Sequence, residues 1–301
     1  MIEVTDAIDR QVRLERPPAR IVSLVPSETL SVAELVGVER IVGRTDYCTE
    51  PAGAVDAIAS VGGTKGFDVE AVEALAPDLV LANKEENSRP LVQALIAAGL
   101  PVHVSFPCTV EQSLSYLDSL CALLGIDAHD AAAVRACHTA VERAAHRGSA
   151  EPLPVFVPIW KDPWMTFDQG AYASDLLRVC GAHNVFAGRP RQYPLAADLG
   201  KTAPSSAARI EDRDTRYPRI RLEEVVERGA RAVLLPDEPY AFSEVDAAEM
   251  AKLPAEEPIV VELVDGKDLF WYGTHVARAV TRLSDEIARA RTHCFGLEPN
   301  N

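Results

Sequence analysis

Residues 127–148 form one uninterrupted stretch with the composition of a long helix. The stretch is rich in Ala, contains no Pro, and has its only Gly at the end, at Gly148. Asp127 and Asp130 suit a helix start, and Gly148 suits the position just past a helix end. A helix of about 20 residues spans about 30 Å. We therefore expect a rigid helix that links two lobes, although an ordinary helix within a single α/β domain explains the pattern equally well.

Short apolar strands alternate with amphipathic helices on both sides of this stretch. Continuous apolar runs, such as 21–25 and 153–159, are typical of strands in a parallel sheet that is covered on both faces. The alternation predicts an α/β fold of two doubly wound, Rossmann-like lobes joined by one long backbone helix. We place the N-terminal lobe at 1–125, the linking helix at 126–149 and the C-terminal lobe at 150–301.

The composition indicates a globular chain and restricts its partners. The net charge of −15 over 301 residues argues against binding to nucleic acid or to an anionic membrane surface. No apolar run approaches the roughly 20 residues that a membrane span needs, and residues 1–18 lack the apolar segment of a signal peptide. A cytoplasmic location follows if Met1 is the native start, and otherwise a signal has been removed.

Polar and aromatic side chains follow several predicted strands, at the sheet edge where α/β proteins usually bind ligands. Three pairs are placed in this way: Asp46 with Tyr47, Trp160 with Trp164, and Trp271 with Tyr272. Core packing under a loop would also explain the tryptophans. We favour contact with a ligand, because aromatic faces supply a large contact area. Lys65 lies in the glycine-rich turn 62–66, which is neither a GxGxxG motif nor a P-loop, and we expect it beside the same ligand.

The segment 187–219 is irregular and, together with Arg221, carries seven arginines in an otherwise acidic chain. A solvated surface insertion explains this segment as well as a clamp for an anionic ligand does. Loops of this length without secondary structure are uncommon, so we expect the segment to be either functional or mobile.

Five signatures together resemble a known family, the substrate-binding proteins of ABC importers for cobalamin and iron-siderophores in the helical-backbone class. They are RIVSLVPSETLSVAELVGVERIVGRTDYC from Arg20, VGGTKGFDVEAVEALAPDLVLA from Val61, VFVPIWKDPWMTFDQGAYASDLLRVCGAHNVF from Val155, RYPRIRLEEVV from Arg216, and WYG at 271–273. The resemblance implies a ligand cleft between two lobes and a metal chelate as ligand, either cobalamin or a ferric chelate such as a siderophore or haem. It also implies no covalent cofactor, an ABC permease as partner, a monomer, and a periplasmic or cell-surface location.

The resemblance also implies roles for particular residues. Tyr47 matches a ligand-lining tyrosine of the cobalamin binders, and the loops 160–164 and 268–272 fall where the family lines its cleft. Glu70 and Glu223 match the pair of surface glutamates, one per lobe, that dock onto arginines of the permease. An internal match agrees with this pairing, because DVEAVEALAPDLVLA from Asp68 aligns with RLEEVVERGARAVLLP from Arg221, with Glu70 opposite Glu223.

Two other functions remain open at this point. The first is a cytoplasmic sensor or scavenger of chelates that works without a permease. The second is an α/β enzyme that uses the same cleft, since a fold does not fix a function. We predict a protein that is not an enzyme and has neither catalytic residues nor metal ligands, because no nucleophile elbow, zinc motif or phosphate loop is present.

Overall fold

The structure is a computed structural model that describes residues 1–146, 151–211 and 213–296. It divides into two compact units. Unit 1 consists of Met1–Pro107, Glu111–Thr139 and Trp271–Ala277, and unit 2 is the described remainder of the chain. The division falls inside a helix that lies within the predicted linker, and the return of residues 271–277 to unit 1 was not expected from the sequence. The lobe boundaries at 1–125, 126–149 and 150–301 stay a prediction.

Unit 1 is built on a parallel five-stranded sheet with a separate hairpin before it. The hairpin pairs β1 with β2, and the sheet has the order β5-β4-β3-β6-β7. Its strands are β1 Ile2–Thr5, β2 Gln11–Leu14, β3 Ile21–Ser23, β4 Ile41–Arg44, β5 Ala59–Ser60, β6 Leu79–Asn83 and β7 Val102–Ser105. All residues of β3, β6 and β7 are buried, as their continuous apolar runs predict.

The chain leaves the centre of this sheet in both directions. From β3 it runs outward to β4 and β5, and it then returns to β6 and β7 on the other side. This reversal creates a topological switch point between β3 and β6, and in open α/β sheets ligands usually bind outside the strand ends there. The helices that come between or after these strands are α1 Pro26–Val36, α2 Val69–Ala74, α3 Arg89–Ala97, α4 Val110–Leu124 and α5 Ala132–His146.

Unit 2 repeats this plan with a parallel four-stranded sheet of order β11-β10-β8-β9. Its strands are β8 Leu153–Phe156, β9 Ala182–Asn184, β10 Ala232–Pro236 and β11 Val260–Val264. Its helices are α6 Tyr172–Val179, α7 Leu195–Asp198, α8 Glu223–Glu227, α9 Glu244–Met250, α10 Lys267–Phe270 and α11 Val276–Phe295. The switch point lies between β8 and β10. The predicted α/β class with two parallel, doubly wound sheets is confirmed.

The helix predicted at 127–148 begins later than its sequence indicates. Helix α5 starts at Ala132 and contains 15 residues, so it is about 22 Å long. The Asp127 carboxylate accepts a hydrogen bond from the backbone N–H of His129 at 2.8 Å, which closes a local turn instead of capping the helix. The predicted end at Gly148 lies outside the described residues, and the linking role of α5 stays a prediction.

None of the helices in the described part of the chain is both long and apolar enough to cross a membrane.

Candidate functional site

Three of the predicted ligand residues lie around one glycine-rich turn of unit 1. The backbone N–H of Asp46 donates to the carbonyl of Gly62 at 2.8 Å, and the Asp46 carboxylate accepts from the Ser60 hydroxyl at 2.5 Å. The Tyr47 ring, which is 64% exposed, lies beside Gly63. Lys65 is exposed and donates to the carbonyl of Glu85. Asp46, Tyr47 and Lys65 therefore share a surface region at the carboxyl ends of β4 and β5.

Four aromatic rings form a row at the switch point of unit 2. Trp160, after β8, meets Tyr240, after β10, edge to face at 5.5 Å between ring centroids. Tyr240 contacts Phe242 at 4.7 Å, and Phe242 stacks on Trp164 at 5.8 Å with an interplanar angle of 4°. Trp160 is 45% exposed, whereas Trp164 is only 9% exposed. The two tryptophans predicted to act together thus differ, because Trp164 packs into the core and only Trp160 presents its ring to solvent.

Two ion pairs of the half-buried Lys161 fix the loop that carries these tryptophans. The Lys161 ammonium lies 2.7 Å from a carboxylate oxygen of Asp246 and 2.7 Å from one of Glu249, both on α9. The pKa of Lys161 is well above its usual range because of these hydrogen bonds. The bond with Asp246 is the largest cause, and the bond with Glu249 is the second. The same ammonium lies 5.2 Å from the centre of the Trp164 ring, within cation–π range. The loop is therefore tied to α9 on one side and to the core on the other.

Trp271 and Tyr272, which were predicted to contact the ligand, are buried at 7% and 6% exposure within the protein. The Tyr272 hydroxyl donates to a carboxylate oxygen of Glu28 at 2.7 Å. It also lies 2.9 Å from the hydroxyl of Ser105 and accepts from the amide of Asn83 at 3.0 Å. These partners follow or end β3, β6 and β7, so Tyr272 fills the switch point of unit 1 with the protein's own side chain. The role of Trp271 and Tyr272 as ligand contacts stays a prediction.

Glu28 is a polar residue at this site that sequence reasoning missed, as it missed Asn83 and Ser105. It is fully buried in the first turn of α1, and one of its oxygens accepts from Ser105 at 2.5 Å as well as from Tyr272. Burial raises the pKa of Glu28 to about 7, and it also raises the pKa values of Tyr116 and Tyr272. In the sequence, a glutamate in a first helical turn indicates only a favourable helix-dipole contact, so no local signal predicts its burial.

Glu70 and Glu223 occupy equivalent, exposed positions in the two units. Glu70 is the second residue of α2, where the Asp68 side chain caps the helix by accepting from the backbone N–H groups of Glu70 and Ala71. Glu223 is the first residue of α8. Each short helix leads into a fully buried strand of its sheet, β6 and β10 respectively. The internal match seen in the sequence is therefore a match of structure.

Comparison with known proteins identifies the family. A family model described as periplasmic binding protein matches residues 21–217. A vitamin B12-binding protein of Yersinia pestis (strain Pestoides F) is 30% identical over 178 residues, which cover 58% of this chain and 62% of that protein. The match thus spans less than two thirds of that relative's length.

Solved structures with the same fold extend this result. The periplasmic vitamin B12-binding protein BtuF of Vibrio cholerae superposes with a TM-score of 0.66 at 19% identity, covering 91% of this chain and 98% of that one. A periplasmic haem-binding protein from Pseudomonas aeruginosa gives a TM-score of 0.70 at 21% identity, covering 90% and 92%. At this level of identity the structures establish a shared fold. From the family match over residues 21–217, the chain belongs to the periplasmic binding protein family.

Proposed function

We propose that this protein is the substrate-binding protein of an ABC importer and captures a metal chelate of the corrinoid, haem or ferric-siderophore kind. The observation that carries the proposal is the exposed Trp160 ring at the switch point of unit 2, which contacts the half-buried Tyr240 and through it the buried Phe242 and Trp164. Family membership and the binding activities named for its relatives support the same conclusion. We propose a periplasmic or cell-surface location and a monomeric state on the same basis.

The proposed ligand contacts are the exposed members of the predicted set. In unit 1 they are Asp46, Tyr47 and Lys65, and in unit 2 they include Trp160. Trp164, Trp271 and Tyr272 are left out of the proposed contacts, because their rings are buried and already have partners in the protein. A flat aromatic face such as Trp160 suits the ring of a corrin or a porphyrin.

Ligand titration tests this proposal. Cyanocobalamin, haemin and ferrichrome are titrated into the purified protein while tryptophan fluorescence is recorded. We expect one of them to quench the emission, and we expect Trp160→Ala to weaken that ligand by about tenfold or more with little loss of stability. Trp164→Ala serves for comparison, because it removes a buried ring and should cost about 3 kcal/mol or more of stability. If none of the chelates binds the wild-type protein, the proposal is wrong.

The permease-docking role of Glu70 and Glu223 is part of the proposal and needs a separate test. Two exposed carboxylates, one on each unit, can pair with arginines of a partner and steer its association. We expect the double variant Glu70→Ala/Glu223→Ala to bind the chelate normally and to lose import driven by the cognate permease. Glu73→Ala and Glu227→Ala remove exposed glutamates from the same two helices and should leave import unchanged. Import that persists in the double variant would show that both glutamates serve only their helices.

A further inference from the structure

A small antiparallel ladder joins the Trp160 loop to the arginine-rich segment of unit 2. Trp160 pairs with Met165, and Met165 pairs in turn with Arg219. Directly opposed residues of antiparallel strands project their side chains to the same face. Trp160, Met165 and Arg219 therefore share one face, which is exposed or half-buried, while their neighbours Trp164 and Ile220 are buried on the other. A tryptophan ring and a guanidinium group thus belong to one surface.

The arginine-rich segment contains more positive charge than its own carboxylates neutralise. Arg189 pairs with Asp198 at 2.7 Å and with Glu224 at 3.2 Å, and Arg216 pairs with Asp214 at 2.6 Å. Four other arginines of the segment have no carboxylate within ion-pair distance among the residues that the structure describes: Arg191, Arg209, Arg213 and Arg219. We call Arg191, Arg213 and Arg219 the arginine cluster.

Two members of the arginine cluster lie over the ring of one tyrosine. The guanidinium groups of Arg191 and Arg213 lie 4.3 Å and 4.8 Å from the centre of the Tyr193 ring. The Tyr193 hydroxyl donates to the backbone carbonyl of Asp214 at 2.8 Å, so the ring that carries both cations is itself fixed. Arg219 is close enough to Arg191 that burial and, second, this neighbouring charge lower the pKa of Arg219. Three like charges are therefore held together.

The buried carboxylate of Asp198 holds the backbone around this cluster in place. One oxygen of Asp198 accepts from the Arg189 guanidinium at 2.7 Å and from the backbone N–H of Gln192 at 2.9 Å. The other oxygen accepts from the backbone N–H of Arg219 at 2.6 Å. The backbone N–H of Arg191 also donates to Thr215 at 2.7 Å. The cluster is thus preorganised by its own segment and is not a set of independent surface side chains.

We infer that the arginine cluster is an anion subsite, and that the chelate bound by this protein carries carboxylate or phosphate groups beside its ring. This inference rests on the proposed function and narrows its ligand class. Neighbouring guanidinium groups without an ion-pair partner make a locally positive surface in a chain of net charge −15, and such a surface attracts an anion. Guanidinium groups form paired hydrogen bonds to carboxylates and phosphates, whereas the adjacent Trp160 ring offers an apolar face to the flat part of the same ligand.

The test compares chelates that share a metal-binding core and differ in charge. The three pairs are dicyanocobyrinic acid with dicyanocobinamide, haemin with haemin dimethyl ester, and ferrichrome A with ferrichrome, the anionic member first in each. We expect the pair that binds to favour its anionic member by about tenfold or more. In Arg191→Gln/Arg219→Gln that preference should disappear, while the neutral member keeps its affinity. Arg178→Gln, an exposed arginine on α6, is the control and should change neither.

The possible outcomes separate a failure of the proposed function from a failure of the anion subsite. If no chelate of any pair binds the wild-type protein, both the proposed function and the anion subsite are wrong. If a neutral chelate binds as tightly as its anionic partner, or the double variant keeps the preference, the proposed function stands and the anion subsite is wrong. Normal chelate affinity with lost import would also overturn it, and would assign the cluster to an acidic surface of the permease. Unchanged thermal unfolding confirms that the variants are folded.

Discussion

Replacement of Glu28 by glutamine should change how the stability of unit 1 depends on pH. The Glu28 carboxyl is fully buried, and burial raises its pKa to about 7 from an ordinary value of 4.5. The folded protein therefore keeps this group protonated at pH values where the unfolded chain has released the proton. Unfolding near pH 6 liberates a proton, so rising pH favours the unfolded state.

The magnitude follows from the width of this interval. Stability from the protonated Glu28 is fully present below about pH 4.5 and is lost as the pH rises through about 7. Each pH unit between these values costs about 1.4 kcal/mol, so the total loss in the wild-type protein is roughly 3 kcal/mol. Glu28→Gln has nothing to ionise and keeps an oxygen that can accept from Ser105 and Tyr272. Its stability relative to wild type should therefore rise by roughly 3 kcal/mol from about pH 4.5 to above pH 7.

Urea unfolding followed through Trp271 measures this difference. Trp271 is buried in unit 1, and Phe replacements of Trp160 and Trp164 leave it as the reporter. Burial also raises the pKa of the neighbouring Glu86, but that contribution is present in both proteins and cancels in their difference. A stability difference that stays constant from about pH 5 to about pH 8 would refute the reasoning, because it would show that Glu28 does not titrate differently in the two states.

Two further predictions concern unit 1. Gly273→Ala should destabilise it by about 3 kcal/mol or more in urea unfolding, because Gly273 has a φ of +75° and an added Cβ would lie 2.3 Å from the hydroxyl of Ser31. Gly229→Ala is the control, since its φ of +73° is similar but nothing lies near its Cβ position, and it should cost only about 1 kcal/mol. Burial lowers the pKa of His103 to about 4, so the wild type should lose roughly 3 kcal/mol as pH falls from about 6.5 through about 4. His103→Gln should remove this acid-side loss, and a pH profile identical to wild type would contradict the assignment.

The central strands of both sheets could be predicted from the sequence because they are buried on both faces. Their apolar runs need no tertiary information to be recognised, and β6 and β10 are buried at all five positions. The edge strands β5 and β9 were missed because they are short. β5 has two residues, both exposed, and β9 has three residues, of which one is exposed; each strand is too short for an alternating pattern to be read.

The candidate site could be predicted only in part, because local patterns do not show which aromatic ring is covered. Trp160 and Trp164 lie in the same loop, and the residues around them in the sequence do not distinguish them. Their exposure differs because Phe242, in the loop after another strand, stacks on Trp164 and not on Trp160. The partner of Tyr272 is 244 residues away in the chain. A carboxylate at that separation leaves no pattern near Tyr272, so its burial could not be derived from the residues around it.

The division of the aromatic residues into covered and exposed rings bears on the proposed function, in which the exposed Trp160 contacts the ligand. A free surface side chain loses rotamer freedom when it binds, which costs about 0.5–1.5 kcal/mol. Trp160 is already restrained by the edge of Tyr240, which in turn contacts Phe242 and through it Trp164. The ion pairs of Lys161 hold the backbone of the same loop against α9. Under the proposed function, Trp160 is therefore held in place before the ligand arrives, because Tyr240 and the buried rings behind it restrain its position.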